Sequence, residues 1–196
     1  METQRTQFSF LSPNTSDKGP PIRRHIGVLG SAAAVAVGGG AGLLAVSAGV
    51  ASAASFTVTN CNDSGAGSLR QAVLDSEAAS GADTISISAV CDASGAVSVS
   101  GVMNITDSLA IVGPGAASFI LDGQGSTQIF NVAGTGVEDV VLSGMTITNG
   151  KIVGNRGGAI EFDRLDSLSI DDVAFRGNES TSTGGAAVVH WINEVS

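Results

Sequence analysis

The sequence is poor in charged and aromatic residues. Of its 196 residues, 14% are charged, one is tryptophan, seven are phenylalanine and none is tyrosine. An ordinary globular domain carries roughly 25% charged residues, and disordered acidic tails, coiled coils and nucleic-acid-binding domains depend on dense charge. The composition therefore excludes these three classes. The scarcity of large aromatic residues predicts a core built from Val, Ile, Leu and Ala.

Proline and cysteine are also scarce, with 4 and 2 residues, whereas glycine is abundant with 27. The glycines do not follow the Gly-X-Y period of collagen. Much glycine with few large aromatics favours many short strands and tight turns over long helices. The two cysteines and two histidines are widely spaced, so the sequence predicts no metal site, and it predicts no cofactor.

The N-terminal segment, 1–54, has the pattern of a secretory signal peptide that is cleaved. A polar and basic segment over residues 1–25 precedes an apolar stretch, Ile26–Val50, and the small residues Ala51-Ser52-Ala53-Ala54, a site of the A-x-A type. The pair Arg23-Arg24 resembles a twin-arginine export signal, so both general and twin-arginine export stay open. Because the apolar stretch is long enough to span a bilayer, an uncleaved N-terminal anchor is the alternative.

The remainder of the chain is acidic. After residue 54 there are 16 acidic and five basic side chains, a net charge of about −11. Such a surface repels polyanions, so neither nucleic acid nor, after signal cleavage, an anionic membrane is expected as a partner. Both cysteines, Cys61 and Cys91, lie in this segment. Export favours a disulfide between them, and two free thiols are the alternative.

An internal repeat organises the second half of the chain. At a shift of 28, four apolar pairs coincide: Val140/Leu168, Leu142/Ile170, Met145/Val173 and Ile147/Phe175. In each unit a two-residue polar break is predicted between two alternating strands. The segment Gly157-Gly158-Ala159-Ile160 recurs at a shift of 27 as Gly184-Gly185-Ala186-Ala187, and a less regular copy runs over residues 109–132.

Period-2 strands that recur at this interval predict an all-β solenoid whose coils stack on one another. We expect a right-handed parallel β-helix with three strands per coil. Phe130, Ile160 and Ala187 should then form one interior column. Asn149 and Asn178 should stack at one corner, bonding to the backbone and to each other. An antiparallel sandwich is the alternative architecture.

An amphipathic helix is predicted before the repeats, where it would cap the first coil. The capping-box pair is Ser68 with Gln71, and Gly81 is a plausible stop. The predicted helical residues are Ser68, Leu69, Arg70, Gln71, Ala72 and Val73, with strands at 56–59 and 84–87 on either side. The predicted organisation is a signal peptide over 1–54, a cap module over 55–106 and β-helix coils over 107–196.

Two groups of residues resemble exported bacterial proteins. Gly157-Gly158-Ala159-Ile160 and Phe175-Arg176-Gly177-Asn178 are similar to the GGAI and FxxN motifs of polymorphic outer membrane protein repeats, and Gly184-Gly185 begins a second GGAI-like copy. Cys61 followed by Gly67-Ser68-Leu69-Arg70-Gln71-Ala72 resembles the CSLREA-type N-terminal module. The resemblance covers roughly residues 55–192. It implies a parallel β-helix that is secreted or displayed on the cell envelope or outer membrane and is linked to adhesion.

No catalytic constellation is evident from the sequence. Asp171-Asp172 is the only adjacent carboxylate pair that resembles a hydrolase site, and glycoside hydrolysis needs two carboxylates flanking the scissile bond. Neighbouring residues in a strand point to opposite faces, so this pair is interpreted as a solvated turn. His190-Trp191 is the other cluster with catalytic or sugar-stacking potential, and Trp191 continues the inward parity of Ala187, which favours a core or corner position.

The sequence thus predicts a non-catalytic scaffold or adhesin-like protein that presents an exposed sheet to cell-surface glycans or to host or neighbouring proteins. The alternative is a polysaccharide lyase or glycoside hydrolase whose site is degenerate or lies beyond residue 196. The last residues reach a third-strand position without a capping element, which indicates that the chain is a fragment.

Overall fold

A computed structural model of the chain describes residues 9–10, 52–134, 137, 139–154, 157–182 and 184–195, with the backbone alone for 9–10 and 189–195. Most of the predicted signal peptide, residues 1–8 and 11–51, lies outside these ranges. Within them, no helix is both long and apolar enough to cross a membrane.

Short parallel strands and one ten-residue helix make up the described part of the chain. The helix is α1 (Leu69–Ala78). The strands are β1 (Ser9–Phe10), β2 (Ser55–Val58), β3 (Asp83–Ile87), β4 (Val97–Ser98), β5 (Met103–Ile105), β6 (Leu109–Val112), β7 (Ile120–Asp122), β8 (Phe130–Ala133), β9 (Asp139–Thr148), β10 (Lys151–Ile152), β11 (Ile160–Arg176), β12 (Glu179–Ser180) and β13 (Ala187–Val195).

The strands stack as a β-solenoid of about 5 turns. Along its main sheet the order is β1-β13-β11-β9-β6-β3-β2. The pairing is parallel throughout, and one line of paired residues crosses the sheet through Ser55, Thr84, Ala110, Val141 and Ser169. Each turn therefore lies directly on the turn before it. Parallel pairing excludes the antiparallel sandwich for this part of the chain.

The predicted registers are confirmed. All four apolar pairs at a shift of 28 are partners of β9 and β11, among them Val140 with Leu168 and Ile147 with Phe175. Phe130 pairs with Ile160, and Ile160 pairs with Ala187. The core of the solenoid is mainly aliphatic. Its largest fully buried side chains are Phe119, Phe130, Phe162, Leu69, Ile85, Ile105, Ile111, Leu121, Ile129, Leu142, Met145 and Ile147.

The predicted polar breaks between strands are wrong. β9 and β11 run continuously through those positions, over Asp139–Thr148 and Ile160–Arg176. The chain bends there at one residue in the left-handed region, Gly144 (φ 63) in β9 and Asp172 (φ 48) in β11. A single left-handed residue is enough to turn the corner, so the ladder of backbone hydrogen bonds needs no interrupting loop.

The helix begins where the capping signal predicts. Ser68 Oγ accepts a hydrogen bond from the Gln71 backbone N–H at 3.2 Å, and Leu69, Ala72 and Val73 are buried. The Gln71 side chain does not complete the capping box, because the Ser68 backbone N–H donates to the Gly65 carbonyl at 3.1 Å; Gln71 Nε2 donates to Asp75 Oδ1 at 2.8 Å. The helix ends at Ala78, before the predicted stop. Gly81 (φ 107) instead serves the turn that leads into β3.

Arg70 ties the helix to two neighbouring segments. Its Nη2 donates to Asp63 Oδ1 at 2.8 Å and to the Gly101 carbonyl at 2.6 Å. The Ser100 hydroxyl donates to the other oxygen of Asp63. Burial raises the pKa of Asp63, but the hydrogen bonds from Ser100 and Arg70, together with the Arg70 charge, outweigh it and hold that pKa below its ordinary value.

Asp63→Asn is expected to cost about 1.5 kcal/mol of unfolding free energy at pH 7, since it weakens charge-assisted hydrogen bonds. A carboxyl whose folded pKa is lowered stabilises the fold above its unfolded pKa of about 3.9, and that stability is lost as the pH falls through the lower folded pKa. The difference between wild type and variant should therefore shrink as the pH falls below about 3.9. Urea unfolding across this range measures it, and Asp171→Asn, which changes an exposed carboxylate, should show no comparable loss at pH 7. An Asp63→Asn deficit that persists unchanged at pH 2.5 would contradict the assignment.

Candidate functional site

A polar groove lies at one corner of the solenoid, where three successive turns leave the sheet. Its volume is about 460 Å³. The lining residues lie at strand ends or in the turns between strands, and they are Asp122, Gln124, Gly125, Asn149, Gly150, Lys151, Gly177 and Glu179. We call this feature the corner groove.

The register of the strands places these residues together. β7, β9 and β11 end at Asp122, Thr148 and Arg176, and these three residues are partners across the sheet. Just beyond each strand end the chain turns through a left-handed residue: Gln124 (φ 56), Asn149 (φ 51) and Gly177 (φ 58). Glycine and asparagine tolerate this conformation better than other residues. They directly follow the strand end at Asn149 and Gly177, whereas Gln124 follows its strand end by two positions.

Asp122 and Asn149 form the first polar contact of the groove. Asp122 Oδ1 accepts hydrogen bonds from the Gln124 backbone N–H at 2.8 Å and from Asn149 Nδ2 at 3.0 Å. The bond orients the Asn149 amide, so that its Oδ1 faces Gly177, where an added Cβ would lie 3.0 Å from that oxygen. Glycine at 177 leaves the Asn149 carbonyl oxygen uncovered.

Asn178 has a different role from Asn149, and the predicted stacking of the two asparagines is wrong. Asn178 Oδ1 accepts from the Gly150 N–H at 2.7 Å, and its Nδ2 donates to the Ile147 carbonyl at 3.0 Å. Asn178 therefore fastens the backbone of one turn to the next. The strand register sets Gly177, not Asn178, beside Asn149.

The opposite side of the groove is charged. β10 pairs with β12, which aligns Lys151 with Glu179. Their side chains form an ion pair, Lys151 Nζ to Glu179 Oε2, at 3.1 Å, and are 35% and 61% exposed. Exposed pairs of this kind contribute little to stability and are screened by salt. Both groups can therefore exchange partners at little cost when a ligand arrives.

The corner groove combines hydrogen-bond acceptors with donors on a rigid scaffold. Asp122, Glu179 and the Asn149 oxygen accept, whereas Lys151 and the Gln124 amide donate. Hydroxyl groups donate and accept at once, so a polyhydroxylated ligand matches this set. In the described residues no group of three or more His, Cys, Asp or Glu side chains is placed to hold a metal ion.

The repeat-motif residues that the sequence singles out have structural positions. Gly157 (φ 68) and Gly184 (φ 66) adopt equivalent left-handed turns, and Gly158 packs against the backbone at Glu179 and Gly185. Ala159 and Ile160 are fully buried, and Phe175 packs partly buried against the core. These residues build the turns and lie outside the lining of the groove.

The structure describes the side chains of one of the two candidate catalytic clusters. Asp171 and Asp172 are both exposed, and Asp172 Oδ2 accepts from the Ala116 backbone N–H at 3.1 Å. The side chains of His190 and Trp191 lie outside the described residues. The backbone of β13 pairs His190 with Asp163.

The predicted cysteine pair lies at disulfide distance. The Cys61 and Cys91 sulfur atoms are 2.07 Å apart, and 30 residues separate them in sequence. Cys91 is fully buried, and its backbone forms an isolated parallel β-bridge with Phe119 in the following turn. The bond therefore joins the segment after β2 to the next turn of the solenoid.

Comparison with known proteins gives no relative: no family model matches the chain, and neither a curated protein nor a solved structure matches it. The corner groove was not predicted from the sequence. Its residues are far apart and differ in type from turn to turn. The signal that could have located it is the Gly or Asn that follows each of three strands, at Gly123, Asn149 and Gly177.

Proposed function

We propose that the chain is an exported β-solenoid, secreted or held at the cell surface, that binds neutral glycans without cleaving them. The corner groove carries this proposal, because three successive turns hold acceptors and donors there at fixed positions. The disulfide supports export, since such bonds persist in oxidising compartments. The proposal includes the finer features the sequence predicts: a right-handed helix with three strands per coil, a capping module of CSLREA type and repeats of the polymorphic outer membrane protein type.

The charge of the groove favours neutral sugars over uronic acids. Its lining has two carboxylates, Asp122 and Glu179, and one cation, Lys151, which already pairs with Glu179. With the acidic net charge of the chain, this arrangement repels a polyanionic ligand. A neutral glycan meets no such repulsion, and each of its hydroxyls can bridge an acceptor and a donor.

Glycan binding by the exported chain is expected to depend on Asn149. Asn149→Gly keeps a residue that tolerates the left-handed backbone and removes the amide, so affinity for a neutral oligosaccharide should fall about fivefold, the loss of one hydrogen bond. Titration calorimetry against a panel of neutral and uronic oligosaccharides measures the effect.

Asn104→Ala is the matched control. Asn104 is exposed on β5, and its Oδ1 accepts from Asn131 Nδ2 at 3.2 Å, away from the corner groove. Its removal should leave affinity unchanged. Equal losses in both variants, or no binding to any glycan, would overturn the proposal. Release of reducing ends or of unsaturated products from the panel would establish the enzyme alternative instead.

A further inference from the structure

A buried carboxylate lies at the first turn of the solenoid. Asp83 is 3% exposed and begins β3. Its partner in the next turn is Leu109, and the column continues through Val140 and Leu168. Asp83 thus occupies an interior position that later turns fill with aliphatic side chains. Core packing does not explain an aspartate at this position.

The structure supplies this carboxylate with one donor for two oxygens. Asp83 Oδ1 accepts from the Ala54 backbone N–H at 2.7 Å. Asp83 Oδ2 is buried and, among the residues that the structure describes, has no hydrogen-bond partner. An uncompensated buried charge is among the most costly features in a protein. As long as Ala54 offers only its peptide N–H, one oxygen of Asp83 therefore has a donor and the other has none.

Ala54 is the residue at which the chain enters the first turn of the solenoid, the one that begins with β2. Its carbonyl accepts from the Thr84 N–H at 2.9 Å, and Ser55 follows as the first residue of β2. Ser52 and Ala53 are exposed and belong to no strand. The peptide bond between Ala53 and Ala54 thus lies at the boundary between exposed chain and the fixed first rung.

We propose that this bond is hydrolysed during export and that the new α-ammonium group of Ala54 pairs with Asp83. Ala51-Ser52-Ala53 has the A-x-A form that export proteases cleave after its last residue. Water adds across the Ala53–Ala54 peptide bond; Ala53 leaves as a carboxylate, and the freed amine of Ala54 takes up a proton. The inference rests on the proposed export and moves the cleavage one residue before the predicted boundary at 54.

An ammonium group at Ala54 could supply the donor that Asp83 Oδ2 lacks. It has three donors where the peptide has one, so it can bond to Oδ1 and to Oδ2 together. Its positive charge also neutralises the buried carboxylate. Cleavage after Ala54 would remove the donor altogether and leave Asp83 without its partner. Processing at Ala53–Ala54 therefore completes the first turn.

The first test identifies the N-terminal residue. The full chain is expressed in a secreting bacterial host, and the exported protein is analysed by intact-mass and N-terminal peptide mass spectrometry. A protein that begins at Ala54 supports the inference. An exported protein that begins at another residue overturns it and leaves export standing. An intact, retained chain overturns the proposed export and the processing step together.

The second test examines the pairing of the Ala54 ammonium group with the Asp83 carboxylate without relying on export. Residues 49–53 of the full chain are replaced by an enteropeptidase site, so that cutting in vitro leaves Ala54 as the new N-terminus. Cutting should raise the folding equilibrium constant of the wild-type sequence at least tenfold. Asp83→Asn should lose this response, and so should Asp83→Leu, which restores the aliphatic residue of the later turns and keeps a folded reference.

Asp139→Asn is the control, because Asp139 is exposed at the start of β9. It should retain the tenfold response to cutting. The amine should also react at least tenfold more slowly with an acylating reagent in the wild-type sequence than in Asp83→Leu. A stability that cutting leaves unchanged, or that rises equally in the Asp83 variants, would overturn the pairing.

Discussion

Gly158→Ala is expected to lower the free energy of unfolding by about 3 kcal/mol, at the upper end of the usual cost of overpacking. A Cβ at this position would lie closer than 3.0 Å to the backbone carbonyl oxygens of Glu179 and Gly185. Both belong to the chain that follows, stacked on Gly158. Backbone atoms cannot rotate away as a side chain does, so the clash is relieved only by separating the stacked turns.

Separation of the turns also weakens other contacts. Around Gly158 the hydrogen bonds run from its own N–H to the Gly184 carbonyl at 3.1 Å and from the Ala159 N–H to the Ala186 carbonyl at 2.9 Å. The strands of a sheet are about 4.8 Å apart, which leaves no slack for an inserted methyl group. A single methyl group therefore affects the stacking of two turns at once.

Gly101→Ala provides the matched control, because a Cβ at Gly101 would meet nothing within 4 Å and its φ is not in the left-handed region. Its cost should stay within about 0.5 kcal/mol, as for ordinary surface substitutions. Chemical denaturation followed by far-ultraviolet circular dichroism measures both variants. A Gly158→Ala protein as stable as Gly101→Ala would show that the turns do not approach so closely.

The stacking of the later turns could be predicted from the sequence, because side-chain periodicity and glycine position point the same way. Val140 and Ile147 repeat as Leu168 and Phe175 at the same shift, so one register sets all the repeated apolar residues in the core or packed against it. A slip by one residue would turn the whole apolar set toward solvent. A strand register that is fixed by apolar burial can therefore be read from a single sequence.

The first turns were harder to recognise as rungs of the same ladder. β2 pairs with β3 and β3 with β6, but α1 is inserted between β2 and β3. The helix buries apolar residues at a spacing of three to four, which hides the period of 2 on either side. The strands at 56–59 and 84–87 could be predicted, whereas their pairing followed from three-dimensional contacts.

The corner groove escaped prediction because its chemistry does not repeat. The left-handed residue lies two positions after the strand end at Gln124 and one position after it at Asn149 and Gly177, and its side chain changes from Gln to Asn to none. The two asparagines, Asn149 and Asn178, are alike in type but are not equivalent in position. The register pairs Thr148 with Arg176, so Asn149 is level with Gly177 and Asn178 lies one position further on. That single position separates a side chain in the groove from one that fastens the backbone.

Reduction of the Cys61–Cys91 disulfide is the other change with a large expected effect. The bond closes a segment of 30 residues, and the chain-entropy account gives about 3 to 4 kcal/mol for a loop of this size. The closed segment, residues 61–91, includes α1 and β3, so reduction frees this segment in the unfolded chain. The unfolding free energy should fall by this amount when a thiol reductant is added.

Reductant is expected to act first on the segment between the two cysteines, so its effect can be separated from a general loss of stability. The double variant Cys61→Ala with Cys91→Ala should have the lower stability from the start and should show no response to reductant. Hydrogen exchange in the reduced wild type should increase first in α1, where Arg70 still holds Asp63 and the Gly101 carbonyl but no covalent bond restrains the segment. A wild type that titrates two free thiols yet keeps its full stability would contradict the role of the bond. Loss of stability with exchange rising equally in the later turns would mean that the cap and the stacked turns unfold as one unit.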